Sequence, residues 1–240
     1  MSWQVDINSK MRMILVDWII EIHLKFKLQM QTLWLTVNIL DRYLEKEQVP
    51  RAMLQLIGIS SLLIANKHEE IYPPEVKEYI TVTDNAYTLR QMLEMESAIL
   101  IRLNFRVSIP TGYHFFCRYL NCIKASDRTR HLASYYAERN LQESDMLGVR
   151  PHKFAAAAIY AALRQQNDDI FDLATSTVWT TALQEESGCS EQDLEACARN
   201  IVKHVSEDPH TASRRKLVAA KWKYSHERYS EVSQLSLPYI

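Results

Sequence analysis

Ala52-Met53-Leu54-Gln55-Leu56-Ile57-Gly58-Ile59-Ser60-Ser61-Leu62-Leu63-Ile64-Ala65-Asn66 is apolar nearly all the way round a helical wheel. A helix apolar on every side belongs at the centre of a bundle, surrounded by others. Gly58, Ser60, Ser61 and Ala65 keep it slim, so neighbours can approach closely. A second stretch of the same kind, Phe154-Ala155-Ala156-Ala157-Ala158-Ile159-Tyr160-Ala161-Ala162, follows about a hundred residues later and suggests an internal repeat of pattern. These two slim helices organise the reading of the whole chain.

Around the first lie four further helical patterns. Ser9 to Leu28 carries Met11, Ile14, Leu15, Trp18 and Ile22 at three-and-four spacing, and Thr32 to Lys46 repeats it with Leu33, Val37, Leu40 and Leu44. Pro73-Pro74 is placed to begin a short fourth helix, and Thr88-Leu89-Arg90-Gln91 is a capping box opening a fifth that ends near Leu103. Around the second slim helix, Gly112 to Lys124, Arg128 to Glu143, Ser176 to Glu186 and Ser190 to Val205 complete another five, with Ser190 and Asp193 as a cap. The expected fold class is all-α: two tandem five-helix bundles. Sequence identity between the halves is negligible, so the duplication rests on pattern.

Composition narrows the function. The 240 residues include 28 basic and 29 acidic side chains, formally −1, so there is no general attraction to nucleic acid or anionic membrane. Only four glycines occur (Gly58, Gly112, Gly148, Gly188), all isolated, which excludes a P-loop, a dinucleotide-binding turn and a kinase glycine-rich lid. Cys117, Cys122, Cys189 and Cys197 form no Cys-x-x-Cys pair and read as ordinary buried cytosolic cysteines. His114 and Cys117 lie one turn apart with no second pair to complete a zinc site, so neither metal nor cofactor is expected. No apolar run reaches the roughly 18 residues of a membrane span, and no signal peptide opens the chain. Charge is uneven in the second half: residues 165–208 hold ten acids and two bases, residues 210–228 six bases and one acid. A solvated acidic face beside a packed tail is the reading adopted.

The first helix, Met11-Arg12-Met13-Ile14-Leu15-Val16-Asp17-Trp18-Ile19-Ile20-Glu21, is apolar on two faces. Periodicity alone makes both faces core. The run nevertheless resembles the signature of A- and B-type cyclins, normally Met-Arg-Ala-Ile-Leu-Val-Asp-Trp-Leu. The likeness continues through Asn38-Ile39-Leu40-Asp41-Arg42-Tyr43-Leu44, Leu54-Gln55-Leu56-Ile57-Gly58, Ala65-Asn66-Lys67-His68-Glu69-Glu70-Ile71-Tyr72-Pro73-Pro74-Glu75, Val82-Thr83-Asp84-Asn85 and Met95-Glu96. It is strong over residues 4–108 and weaker as far as Leu235-Ser236-Leu237-Pro238. The Thr-Asp-Asn stretch and the Leu-Ser-Leu-Pro end lean toward the B type.

The resemblance implies two cyclin folds: a remnant of an N-terminal helix at 1–8, an N-terminal cyclin box at 9–108, a C-terminal cyclin fold at 109–208 and a tail at 209–240. It implies a non-catalytic subunit that binds and activates a cyclin-dependent protein kinase, works in nucleus and cytoplasm, and binds neither nucleic acid nor membrane. By position, Lys67 and Glu96 match the polar grip on the kinase C-helix, and Phe105 and Val107 match apolar kinase contacts. His68 replaces the family's Phe or Tyr; an imidazole still stacks but changes charge near neutral pH. Met11, Ile14, Leu15, Trp18, Glu21, Leu54 and Gln55 match the docking patch for Arg-x-Leu substrates and inhibitors, with Met13 in place of the usual alanine. Arg12 and Asp41 match a buried ion pair joining the first two helices.

Two other readings stand beside this one. A cyclin-fold transcription scaffold calls for a basic face, and only a short basic tail is present. Asp168-Asp169-Ile170-Phe171-Asp172 has the spacing of a terpenoid synthase magnesium motif but lacks a second metal motif, so a solvated acidic turn is expected there.

Overall fold

The computed structural model describes residues 3–168, 178–206 and 217–235, and these are helical with no strand among them. The chain divides into two compact units, Met1–Thr111 and Gly112–Ile240. The described residues of the first contain α1 (Ser9–Lys25), α2 (Met30–Lys46), α3 (Leu54–Glu69), α4 (Val76–Val82) and α5 (Leu89–Arg102). Those of the second contain α6 (Gly112–Cys122), α7 (Asp127–Leu141), α8 (Pro151–Asp168), α9 (Thr181–Ser187), α10 (Glu191–Ser206) and a short tail helix, α11 (Ala219–Lys223).

Each unit is built round its slim helix. In the first, α3 packs on α1, α2, α4 and α5, with Ile59, Leu62 and Leu63 fully buried. In the second, α8 packs on α6, α7, α9 and α10, and every residue from Phe154 to Ala162 is buried. Alanine leaves α8 thin enough to be enclosed on all sides, where larger residues would hold the partners apart.

Helix starts follow side-chain caps. Asn8 Oδ1 accepts from the Met11 amide at 3.1 Å, Thr88 and Gln91 form the expected capping box, and Ser126 caps α7. The Ser190 hydroxyl accepts from the Asp193 amide while the Asp193 carboxylate accepts from the Ser190 amide. Several ends differ from the sequence reading by a few residues. The first helix stops at Lys25 rather than Leu28, because Lys27 turns left-handed (φ 55°) and Leu28 N–H reaches back to the His23 carbonyl. That 6→1 bond is a Schellman ending, here without glycine. Lys124 (φ 47°) ends α6 early in the same way. The fourth helix begins at Val76, not at Pro73-Pro74, since Glu75 and Glu78 form the capping box.

Gly58 explains how α1 meets α3. A Cβ built there would lie 2.7 Å from Leu15 Cδ1 and 3.0 Å from Cδ2, closer than van der Waals contact allows. Leu15 is itself buried, so it has little room to retreat. Gly58→Val is expected to lower the stability of the first unit by about 1–3 kcal/mol. Gly58→Val with Leu15→Ala should recover part of that loss, a coupling read from denaturant midpoints; strict additivity would show the contact to be unimportant.

Part of the uneven charge pattern, and the Asp-rich segment from Asp169 to Asp172, lie outside the described residues. Among the described residues no helix is long and apolar enough to cross a membrane. The four cysteines are free thiols, but only Cys189 and Cys197 are buried as expected; Cys117 is half-buried and Cys122, at the end of α6, is exposed.

Candidate functional site

The first unit places the residues singled out from sequence at two ends of α3. Gln55 and Lys67 are twelve residues apart on one helix, about 18 Å along its axis. The α1 helix is held against α2 by the Arg12–Asp41 pair, a two-point fork with Nε–Oδ1 at 2.6 Å and Nη2–Oδ2 at 2.7 Å. Arg12 is 1% exposed, and the planar guanidinium allows α1 to approach α2 in one register only.

At the N-terminal end of α3 the proposed docking residues form a graded surface. Leu15 and Leu54 are buried and make its floor. Met11, Trp18 and Gln55 are half-buried, while Ile14 and Glu21 are exposed. Trp18 packs partly against the core formed by Ile22, Leu56, Ile59, Leu62, Tyr79 and Met92. Tyr87 donates from its hydroxyl to Gln55 Oε1 at 3.3 Å, which fixes the amide at the rim. Burial pushes the Tyr87 pKa up, opposed by a hydrogen bond with the Leu56 backbone, so it stays a neutral donor at physiological pH. The second apolar face of α1 is core: Val16 and Ile20 are fully buried, and Met13 is half-buried. Of the two faces, one therefore closes the bundle, and the other leaves apolar surface with an anion at its end.

At the C-terminal end of α3, Lys67 meets Glu96 of α5. The ammonium lies 2.7 Å from Oε1 and 2.8 Å from Oε2. Lys67 is half exposed, and an exposed pair of this kind contributes at most about 1 kcal/mol to stability. It can therefore exchange partners at little cost to the fold. His68 lies 3.1 Å from Glu69 Oε1 through its Nδ1. After α5, Asn104 (φ 52°) and Phe105 (φ 55°) both turn left-handed. The Phe105 amide donates to the Leu100 carbonyl at 2.8 Å, and the Arg42 guanidinium donates to the Arg106 carbonyl at 2.8 Å. Holding a phenylalanine left-handed costs about 1–2 kcal/mol, and the result is a side chain 69% exposed. Val107, by contrast, is buried.

Several exposed apolar residues were not singled out by the sequence reading. Ile71 and Tyr72 are almost fully exposed just after α3, where the two prolines that follow keep the chain out of a helix. Leu89, Leu93 and Ile101 stand out along α5, flanked by the Arg90–Glu94 pair. The sequence signal was present: these residues fall off the buried Met92–Ile99 stripe of α5. Exposed apolar residues clustered round a weak ion pair form a surface suited to another protein.

Residues 1–108 match the family model described as cyclin, N-terminal domain, and residues 110–238 match cyclin, C-terminal domain. The chain is 41% identical over 235 residues to Cyclin-B1-1 of Oryza sativa subsp. japonica, covering 96% of this chain and 50% of that protein. It is 42% identical over 199 residues to Cyclin-B1-2 of Arabidopsis thaliana, covering 83% and 43%. It is 39% identical over 231 residues to G2/mitotic-specific cyclin-B of Spisula solidissima, covering 96% and 51%. The chain thus spans about half the length of the curated relatives it matches. Among solved structures, a viral cyclin from herpesvirus saimiri superposes with TM-score 0.70 at 22% identity, over 91% of this chain and 89% of that one. The yeast RNA Pol II CTD kinase CTDK-1 complex does so at 0.66 and 13%, over 97% and 79%. At these identities the structural likeness carries the fold alone.

Proposed function

The chain belongs to the cyclin family, and we propose on that basis that it is the regulatory subunit of a cyclin-dependent Ser/Thr protein kinase acting in cell division, in nucleus and cytoplasm. The relatives named for B-type and mitotic cyclins support the cell-cycle setting. The observation that carries the reading in this chain is the Lys67–Glu96 pair bridging α3 and α5. A weak surface pair offers a cation and an anion at fixed separation, ready to be taken over by polar groups of a kinase helix. Phe105, held outward by its backbone, adds an apolar contact of the kind that dominates protein interfaces. Phosphoryl transfer then belongs to the kinase, whose Lys–Glu pair and metal-binding Asp must both be in place. A rigid helical partner shifts the kinase toward that state by binding it preferentially.

The same proposal gives the α1–α3 surface a second task, the docking of Arg-x-Leu segments. Leu15 and Leu54 floor the groove for the leucine, and exposed Glu21 faces the basic side chain. Trp18→Ala should leave phosphorylation of a simple peptide unchanged while impairing substrates that carry the motif. Because Trp18 also packs on the core, Glu21→Lys at an exposed position is the companion variant and should show the same selectivity. Reconstitution with a cyclin-dependent kinase tests the whole reading. Complex formation, activation and loss of both with Glu96→Lys are expected; no complex and no activation would sink it.

A further inference from the structure

The outer side of α5 is symmetric about its own middle. Met92 and Ile99 are its buried positions. Away from them run two neighbouring rows at four-residue spacing: Leu93, Ser97 and Ile101 in one, Glu94, Ala98 and Arg102 in the other. Every one of these side chains is exposed, Leu93 at 41% and Ile101 at 64%. Read in the reverse direction, each row matches itself. About Ser97, Leu93 changes places with Ile101; about Ala98, Glu94 changes places with Arg102.

A two-fold contact needs this kind of pattern, because residue i of one copy meets residue j of the other and j meets i in return. Set antiparallel against a second copy, the first row places leucine on isoleucine and the second places carboxylate on guanidinium. The middle of both rows is small, and a shallow depression of about 650 Å³ lies over it, so two backbones can come close there. Side chains four residues apart form a ridge on a helix. The ridges of two helices interdigitate at a crossing angle of about −50°, the commonest packing class. Each ridge would then lie in the groove between the two rows of the other copy.

The charges are available for such a contact. Glu94 pairs with Arg90 one turn back, in an ion pair exposed at both ends and therefore weak. Arg102 donates from Nε to Glu47 and from Nη2 to the Lys46 carbonyl, which uses two of the five N–H groups of a guanidinium. We propose that α5 is a self-association surface: two copies of the chain pair antiparallel through it, Leu93 against Ile101 and Glu94 against Arg102 of the second copy. The proposal does not rest on the kinase reading. One helix face is a small interface, so the dimer is weak and forms at high local concentration.

Sedimentation of the full chain without kinase, over about 1–500 µM, should show monomer and dimer interchanging with a dissociation constant on the order of 10–100 µM. Ile101→Glu or Leu93→Lys alone should weaken association about tenfold or more, because each buries an unpaired charge in the contact. Both positions are exposed, so the melting temperature should not change. The two substitutions together should restore the dimer, since the antiparallel register sets each new cation against a new anion of the other copy. Within one chain they lie about 12 Å apart and cannot pair. Ser97 lies at the centre and faces its own copy. Ser97→Cys, in a Cys122→Ser background that removes the exposed thiol, should therefore cross-link as a dimer on mild oxidation. Arg90→Cys, also exposed, should not. A chain monomeric over the whole range, association untouched by Ile101→Glu, no recovery in the double variant, or no cross-link through position 97 would each overturn the proposal. So would a monomeric chain in which Ile101→Glu impairs binding to a cyclin-dependent kinase, which would assign this face to the kinase.

Discussion

Asp41→Ala is expected to lower the stability of the first unit by about 3–5 kcal/mol, the usual cost of breaking a buried ion pair by removing one partner. The magnitude follows from an imbalance of burial. Arg12 is 1% exposed while Asp41 is 21% exposed, so the guanidinium stays buried when its carboxylate is gone. Both of the fork's hydrogen bonds, at 2.6 and 2.7 Å, disappear together. Typical domains have only about 5–15 kcal/mol in reserve, so the variant should unfold at much lower denaturant concentration. Amide exchange should accelerate first in α1 and α2. Since α1 carries Met11, Ile14, Leu15, Trp18 and Glu21, the proposed docking surface should be lost before the Lys67–Glu96 pair. Arg12→Met with Asp41→Leu is the informative control, because replacing both partners by apolar residues is often close to neutral. If Asp41→Ala costs less than about 1 kcal/mol, the pair is no more than a surface contact in energetic terms.

The second large effect lies in the other unit. Glu138 on α7 is fully buried and accepts from Lys223 Nζ at 2.6 Å and from the Tyr224 hydroxyl at 2.8 Å. Lys223 is buried too, with its ammonium 5.1 Å and 5.6 Å from the ring centroids of Tyr224 and Tyr229. Burial, reinforced by the charge of Glu138, pushes the Tyr224 pKa well up, so its hydroxyl remains a donor. Glu138→Ala leaves a buried ammonium to the faces of two tyrosines, and a loss of about 3–5 kcal/mol is expected. The consequence is specific: α11 should detach from α7, read as faster amide exchange and proteolysis within 217–235. Glu138→Leu with Lys223→Met should restore the stability without the charges, and failure to do so would mean that the pair is needed for more than compensation. Among the described residues Glu138 Oε2 has no hydrogen-bond partner, which is a further reason for an apolar pair to be tolerated.

Much of the architecture could be read before any coordinates. The all-round apolar runs at 54–66 and 154–162 marked the central helices, because only a surrounded helix can afford no polar face. Thr88-Gln91 and Ser190-Asp193 marked helix starts, because caps are local chemistry. Helix ends were harder. Lys27 and Lys124 turn left-handed without being glycine, so composition gave no sign of them. The Lys67–Glu96 contact was likewise hidden, since 29 residues separate the partners; the resemblance pointed to both residues without indicating that they meet.

Only four isolated glycines excluded a phosphate-binding loop from this chain, and the proposed role places the nucleotide in the partner kinase. That much belongs to sequence, as do the helices, their caps and the doubling of the bundle, because each depends on residues within a few positions of one another. What tertiary structure decided was which side of each helix faces water. Leu15 and Ile14 are neighbours of similar hydrophobicity, yet Leu15 is 6% exposed and Ile14 43%. The difference arises because Gly58 opens a space for one of them and the fold provides no such cover for the other. Burial is set by what stands opposite a residue, and that information lies elsewhere in the chain.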